Sequence, residues 1–469
     1  MDLSTIEIKN PQETDLLGEV TLTDPADVPG IVEKAVAARR SWARTPLAER
    51  AAALDRAADA LEPQIETLGR LLAAESGKPI GQAEFEVGGG IRFLRGNAIE
   101  GRRLVGRVLP TEGNFGTEWD LAYTRREPLG VVAAILPFNF PVELFIEKCA
   151  AALVGGNTVV VKPPLEDPLV VEHFRKALIE AGIPADAIQA VNGGADVGAA
   201  LATAPGIDAI SLTGSTNAGI AVATATAAQL RFLHLELGGN NACLVLDDAD
   251  IDLIASEAVR GRILMNGQAC SASKRVIVHR SLHDELADRL SASIASMQVG
   301  EATSGETTIG PLIHRGAAER VASQVKNAQA QGAEIAAGTG ESDGAYFAPT
   351  LLTGVPTGAD IACDDEIFGP VFNLIPVDSE AEALEVANSS SFGLMASVFS
   401  ADPRRALNLA EQVESGGVVI NGTDNYRPPI IPFGGVKLSG RGREGLGYTL
   451  DEMTREKPII FRRFREPMD

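Results

Sequence analysis

At 469 residues the chain is too long for one ordinary hydrophobic core, so two or three domains are expected. Hydrophobic residues make up 45% and charged residues 22%, the balance of a folded chain rather than a disordered one. A net charge of −22 argues against nucleic acid or an anionic membrane as a partner. No apolar run approaches the roughly 18 residues that cross a bilayer, and Met1-Asp2-Leu3-Ser4-Thr5 lacks the basic and apolar stretches of a secretion signal. The cysteines, Cys149, Cys243, Cys270 and Cys363, show no short paired spacing. Neither a disulfide framework nor a metal site is expected, and a reducing cytoplasm fits best.

The first hundred residues read as mostly helical, with alanine and leucine at helical spacing over 26–43 and 47–74. Gly88-Gly89-Gly90 suggests a close helix–helix approach rather than a ligand loop. From Gly130 the pattern changes to short apolar runs alternating with amphipathic helices. Strands are expected at 131–136, 157–162, 187–191 and 209–212, with helices ending near Leu153 and spanning 169–181. A second alternating series runs from 242–246 to about Val419, with strands at 275–279 and 396–399 and helices at 282–297 and 381–388. Such alternation predicts α/β architecture with parallel βαβ units in doubly wound sheets. Segments 121–125 and 458–462 stand apart as lone strands with charged flanks.

Three segments carry the chemistry. Asn266-Gly267-Gln268-Ala269-Cys270 presents a thiol after a glycine that lets the backbone turn sharply. Glu236-Leu237-Gly238-Gly239 supplies a carboxylate that could activate water. Pro137-Phe138-Asn139-Phe140-Pro141 follows a buried strand, where open α/β sheets bind ligands. A free thiol is only a few per cent ionised at neutral pH, so a nucleophilic cysteine needs local help. A lone cysteine is usually a small buried hydrophobe; the Gly-Gln-x-Cys setting singles out Cys270.

Together these segments resemble the aldehyde dehydrogenase superfamily, in its hydrolytic, acid-forming branch, from one end of the chain to the other. The resemblance implies two doubly wound parallel-sheet domains plus a small β element that bridges subunits of a homodimer or homotetramer. It implies a dinucleotide-binding domain over 1–115 and 129–239, a catalytic domain over 240–437, and an oligomerisation element with the C-terminal tail over 116–128 and 438–469. Cys270 would attack an aldehyde, and the Asn139 amide with the Cys270 backbone N–H would hold the resulting alkoxide. Losing one such donor costs roughly 100- to 1000-fold in rate. Hydride loss to NAD or NADP leaves a thioester, which water activated by Glu236 would hydrolyse. Lys148 resembles a lysine beneath the site, either a proton relay or a plain ion-pair partner. Glu444, in Gly442-Arg443-Glu444-Gly445, is either a second relay glutamate or a solvated helix-start carboxylate. Relatives that pass the acyl group to coenzyme A usually lack the Glu236 equivalent, so Glu236 argues against that branch. A non-catalytic member is the remaining alternative.

The resemblance also assigns cofactor contacts to Leu136, Pro137, Phe138, Lys162, Gly198, Gly214, Ser215, Leu237, Glu366 and Phe368. Gly214-Ser215 follows a strand and opens a helix, which provides backbone donors for a pyrophosphate. Two departures stand out. NAD-preferring relatives usually carry Glu three residues after the Lys162 equivalent; here Leu165 occupies that place and Glu166 is displaced by one. Losing a carboxylate–hydroxyl bond of about 1.5–3 kcal/mol weakens NAD, and losing its charge admits a 2′-phosphate, so NADP becomes plausible. The family asparagine five residues before the cysteine is Met265 here, with Asn266 next door. For the substrate, the resemblance implies that Phe138, Phe140 and Ser271 line an aldehyde tunnel. Arg427, before Pro432-Phe433-Gly434-Gly435, would either clamp a polar or anionic tail or serve structure; Arg275 reads as structural. A short semialdehyde or hydroxyaldehyde is the expected substrate, with an aromatic or general aliphatic aldehyde as the alternative.

Overall fold

The computed structural model describes residues 5–466, and two largely parallel sheets dominate them. In the first, Phe232–Glu236, Ala209–Thr213, Val131–Ile135, Thr158–Lys162 and Ile188–Ala190 lie side by side in that order, all parallel. Gly440–Arg441 adds an antiparallel edge beside Phe232–Glu236. The central strands are buried on both faces, which explains their unbroken Val/Ala runs. Chain order reverses between Val131–Ile135 and Ala209–Thr213, so the loops leaving these two strands open a crevice where ligands bind. Those loops carry Asn139 and Gly214-Ser215.

The second sheet orders Thr350–Thr353, Val371–Val377, Arg275–His279, Ala242–Val245, Met395–Phe399 and Gly417–Ile420 in parallel, with Glu334–Ala337 antiparallel at one edge. The expected elements of the two alternating series fall within about two residues of the observed ones, Arg280–Ala295 and Glu380–Asn388 among the helices, whereas the two lone strands are longer than expected, at Leu121–Pro128 and Thr454–Phe461. Arg275 is structural in its contacts: its buried guanidinium donates to the carbonyls of Asn240, Ala362, Val386 and Ala387.

Two expectations near the N-terminus need correction. Thr5–Lys9 and Leu16–Thr21 form an antiparallel hairpin in a stretch read as helical. The helix expected over 47–74 is two helices, Leu47–Leu61 and Ile65–Ser76, separated by a tight turn at Glu62–Gln64. Pro63 sits in that turn; it has no N–H to give and its ring clashes with the preceding turn. The glycine run lies on helix Ile80–Arg102, and a Cβ on Gly90 would come within 2.8 Å of Val142 and Ile146. This close approach seats the buried helix Pro141–Gly155, which carries Lys148.

Leu121–Pro128 pairs antiparallel with Thr454–Phe461, and Val108–Leu109 extends the pair to three strands. Val108, Ile460 and Phe461 leave 73%, 58% and 44% of their surface in solvent, Val108 and Phe461 on one face of this element and Ile460 on the other, with Phe461 stacked 6.4 Å from Tyr123. Among the described residues, no helix is long and apolar enough to cross a membrane.

Candidate active site

The loop that carries Cys270 begins where helix Ile251–Ile263 ends. Met265, Asn266 and Gly267 then adopt left-handed backbone in succession, at φ 51°, 56° and 81°. A Cβ on Gly267 would run into the Gly369 carbonyl, so only glycine fits. Left-handed backbone costs a side-chain-bearing residue roughly 1–2 kcal/mol, and hydrogen bonds offset it here. Asn266 Nδ2 donates to the carbonyls of Gly77 and Pro311, each at 2.9 Å, and its Oδ1 accepts from Gly310 N–H at 2.8 Å. The Met265 N–H donates to Gln82 Oε1 at 2.8 Å. Asn266 thus clamps the turn, while Met265 packs fully buried beside it.

The loop delivers Cys270 half-buried ahead of strand Arg275–His279. Burial pushes its thiol up to about 11, while Lys274 and Arg427 pull in the opposite direction. Cys149 and Cys243 are fully buried and shifted further up by the same desolvation.

Asn139 is buried against this loop, its Nδ2 donating to the Gln268 carbonyl at 2.9 Å. A buried ion pair that sequence reasoning missed holds its backbone from behind. Lys78 Nζ donates to the Asn139 carbonyl at 2.8 Å and pairs with Glu86. Glu86 Oε1 in turn accepts from Val142 and Glu143 N–H at 3.0 and 3.3 Å, closing the first turn of helix Pro141–Gly155. No spacing rule marks this pair, because Lys78 precedes helix Ile80–Arg102 and Glu86 lies within it.

Glu236 ends strand Phe232–Glu236 with both carboxylate oxygens buried and unpartnered. Burial, and then the charge of Glu444, raise its carboxyl well above the usual range. Glu444 behaves oppositely. Burial opposes its charge, but Lys148 Nζ at 2.7 Å and Arg427 Nη2 at 2.9 Å outweigh that and hold it down to about 2. The solvated reading of Glu444 is therefore wrong: the residue is wholly buried. Two neighbouring carboxyls with their acidities driven apart suit one to take up a proton and the other to stay charged.

Two cavities meet at this point, one of about 520 Å³ and one of about 400 Å³; Asn139, Thr213 and Cys270 line both. Thr213, whose buried hydroxyl has no partner, escaped notice because a strand-end threonine carries no distinguishing pattern. The larger cavity is walled by Leu136, Pro137, Phe138, Lys162, Leu165, Gly214, Ser215, Leu237, Glu366 and Phe368. Gly198 is the exception. It lies behind the wall, where a Cβ would sit 3.5 Å from the Lys162 stem. Ser215 caps helix Thr216–Thr226 through Ala218 N–H at 3.2 Å, leaving the positive helix end at the cavity. The rings of Phe138 and Phe368 meet edge to face at 6.1 Å. Glu166 reaches the same cavity beside Leu165, and the Lys162 amine is lowered by burial against the pull of Glu166. His314, Arg320 and Gln324 line it from the second sheet's side. They were missed because helix Arg315–Ala330 reads only as an amphipathic surface helix. A helix end for phosphates, apolar walls for rings, and Lys162 and Glu366 for hydroxyls fit a dinucleotide.

The smaller cavity is lined by Phe140, Ser271 and Arg427, as expected, and by Gln82, Asn425 and Phe433, whereas Phe138, also expected here, lines the larger cavity, turned towards Phe368. Arg427 is not a free anion clamp. Its guanidinium faces Glu444 at 2.9 Å, Glu147 at 3.5 Å and Glu143 at 3.9 Å, and stacks 4.0 Å from the Phe433 ring.

The aldehyde dehydrogenase family model matches residues 1–459. The chain is 35% identical to the 3-sulfolactaldehyde dehydrogenase of Priestia aryabhattai, over 97% of this chain and 94% of that one. It superposes with a TM-score of 0.94 on the NADP-dependent glyceraldehyde-3-phosphate dehydrogenase of Bacillus halodurans complexed with NADP, at 36% identity, covering 98% of this chain and 96% of that one. With the NAD+ complex of an aldehyde dehydrogenase from Bacillus cereus the score is 0.93 at 34% identity, covering 98% and 93%. A thiol at the meeting of a dinucleotide-shaped cavity and a second pocket thus sits on a fold shared along its whole length, and the chain belongs to the aldehyde dehydrogenase family, enzymes that oxidise aldehydes with NAD or NADP.

Proposed function

We propose that Cys270 attacks a polar aldehyde, that Asn139 and the Cys270 N–H hold the alkoxide, and that Glu236 activates the water that releases the acid. When bound, the oxidised dinucleotide supplies the hydride acceptor and a positive ring; Lys162, Ser215, Glu366 and Phe368 would hold it. The observation that carries this reading is the shared floor of the two cavities, where Cys270 and Asn139 lie together. Glu236 also lines the smaller cavity with both oxygens unpartnered. Lys148 and Arg427 keep Glu444 charged, and this network is the candidate route for protons leaving Glu236. The exposed apolar side chains of Val108, Ile460 and Phe461 support the reading of the three-stranded element as a bridge between subunits.

For the substrate, a neutral hydroxylated tail fits best. The Ser271 hydroxyl and the Gln82 amide N–H₂ line the pocket without hydrogen-bond partners among the described residues, whereas the Arg427 charge is already matched. An anionic tail is the second reading, favoured by the names of the 3-sulfolactaldehyde and glyceraldehyde-3-phosphate relatives. A panel of hydroxylated, anionic and plain alkyl aldehydes against the parent enzyme and Arg427→Ala separates them. Breaking the buried pair leaves Glu444 and Glu147 undercompensated, so the variant should lose about tenfold or more in kcat/KM on every aldehyde, since ~1.4 kcal/mol is already tenfold. Loss confined to anionic substrates would instead make Arg427 the clamp.

With Leu165 in place of a ribose-binding glutamate, NADP should be accepted at least as well as NAD. Leu165→Glu should shift preference towards NAD by ~10-fold or more if ~1.4 kcal/mol is recovered. A parent enzyme strongly selective for NAD would mean that Glu166 has taken over the ribose contact, and Glu166→Ala would then erase the selectivity.

A further inference from the structure

Lys274, four residues after the nucleophile, is fully buried and uses its ammonium on three separate segments. It donates to the Gly239 carbonyl on the loop after Glu236 and to the Cys270 carbonyl at 2.8 Å. Its third acceptor is Glu366 Oε1 at 2.8 Å, on the loop that carries Phe368. An ammonium has three protons, so the set is complete. Glu366 is its one ion-pair partner among the described residues. That carboxylate also accepts from Gly239 N–H at 3.1 Å, and its side chain keeps 21% of its surface open towards the cofactor cavity.

We propose that Lys274 is a positioning residue that ties the nucleophile loop to the cofactor-cavity carboxylate Glu366, so that whatever engages Glu366 is felt at the Cys270 thiol. The inference rests on Cys270 being the nucleophile. Its physical basis is charge balance at short range in a dry site. The charged groups facing the thiol are Lys274 and Arg427, which favour its anion, and Glu366 and Glu236, which oppose it. Glu366 cancels part of the Lys274 field.

The test needs neither turnover nor cofactor. Iodoacetamide alkylates the thiolate, forming an S–C bond as iodide leaves and the thiol proton goes to water. The rate is followed against pH, with peptide mapping to Cys270 and thermal melting as a check on folding. Lys274→Met should move the profile about one unit to higher pH, slowing alkylation about tenfold at fixed pH below the midpoint. Glu366→Gln should move it to lower pH, and Lys274→Arg should stay near the parent. A merely structural pair predicts no shifts of opposite sign; two shifts in the same direction, or none, overturn the proposal. If Lys274→Met does not fold, Glu366→Gln alone decides: a move to lower pH supports the coupling, and no move or a rise refutes it. Failure to label Cys270 in the parent enzyme would instead refute the reading of the nucleophile.

Discussion

Cys270→Ala should remove aldehyde oxidation, by about 10⁴-fold or more, as loss of a covalent nucleophile does elsewhere, while dinucleotide binding survives. The thiol lies on the floor common to both cavities, whereas Cys149 and Cys243 are sealed in the cores. The first cavity's walls come from other segments, so NADP affinity, read by fluorescence of the reduced dinucleotide, should change little. Turnover near that of the parent enzyme would place bond formation elsewhere.

Glu236→Gln should give the second large effect, and it should fall on one step. Removing the base costs about 10²–10⁴-fold where proton transfer limits the rate, here in hydrolysis of the thioester. Rapid mixing should show a burst of reduced dinucleotide equal to the enzyme concentration, then a slow steady state. The pH dependence follows from the same group. Burial and Glu444 raise the Glu236 carboxyl, so it is protonated and idle at low pH and becomes an active base as pH rises through its elevated pKa. Deacylation in the parent should therefore climb with pH, and the climb should vanish in the glutamine variant. A burst slowed as much as turnover would assign Glu236 another task.

The chemistry was legible where the residues lie in short contiguous segments. Cys270, Glu236 and Asn139 each sit in a motif of four or five residues, and the strand ahead of Asn139, Val131–Ile135, is an unbroken apolar run. What stayed hidden depends on contacts between segments far apart in sequence. Lys148 and Glu444 are 296 residues apart, and Arg427 meets its three carboxylates only in the folded chain. A sequence shows that an arginine is present but not that three carboxylates face it, so the clamp and structural readings of Arg427 could not be separated there. Lys78–Glu86 and Lys274–Glu366 are likewise tertiary pairs without periodicity. The break at Pro63 was readable and was overridden by the alanine-rich pattern on either side. The left-handed Met265 was not, because it is held by its own N–H donating to Gln82 and by Asn266 donating to the Gly77 and Pro311 carbonyls.

The proposed reaction passes through a covalent acyl intermediate on one sulfur, that of Cys270. Glu236→Gln, mixed with NADP and a good aldehyde and quenched within its burst, should carry one acyl group per chain by intact mass, and proteolysis should place it on the peptide containing Cys270. Reduced dinucleotide formed without any acyl mass on the protein, or an acyl group on another residue, would contradict it.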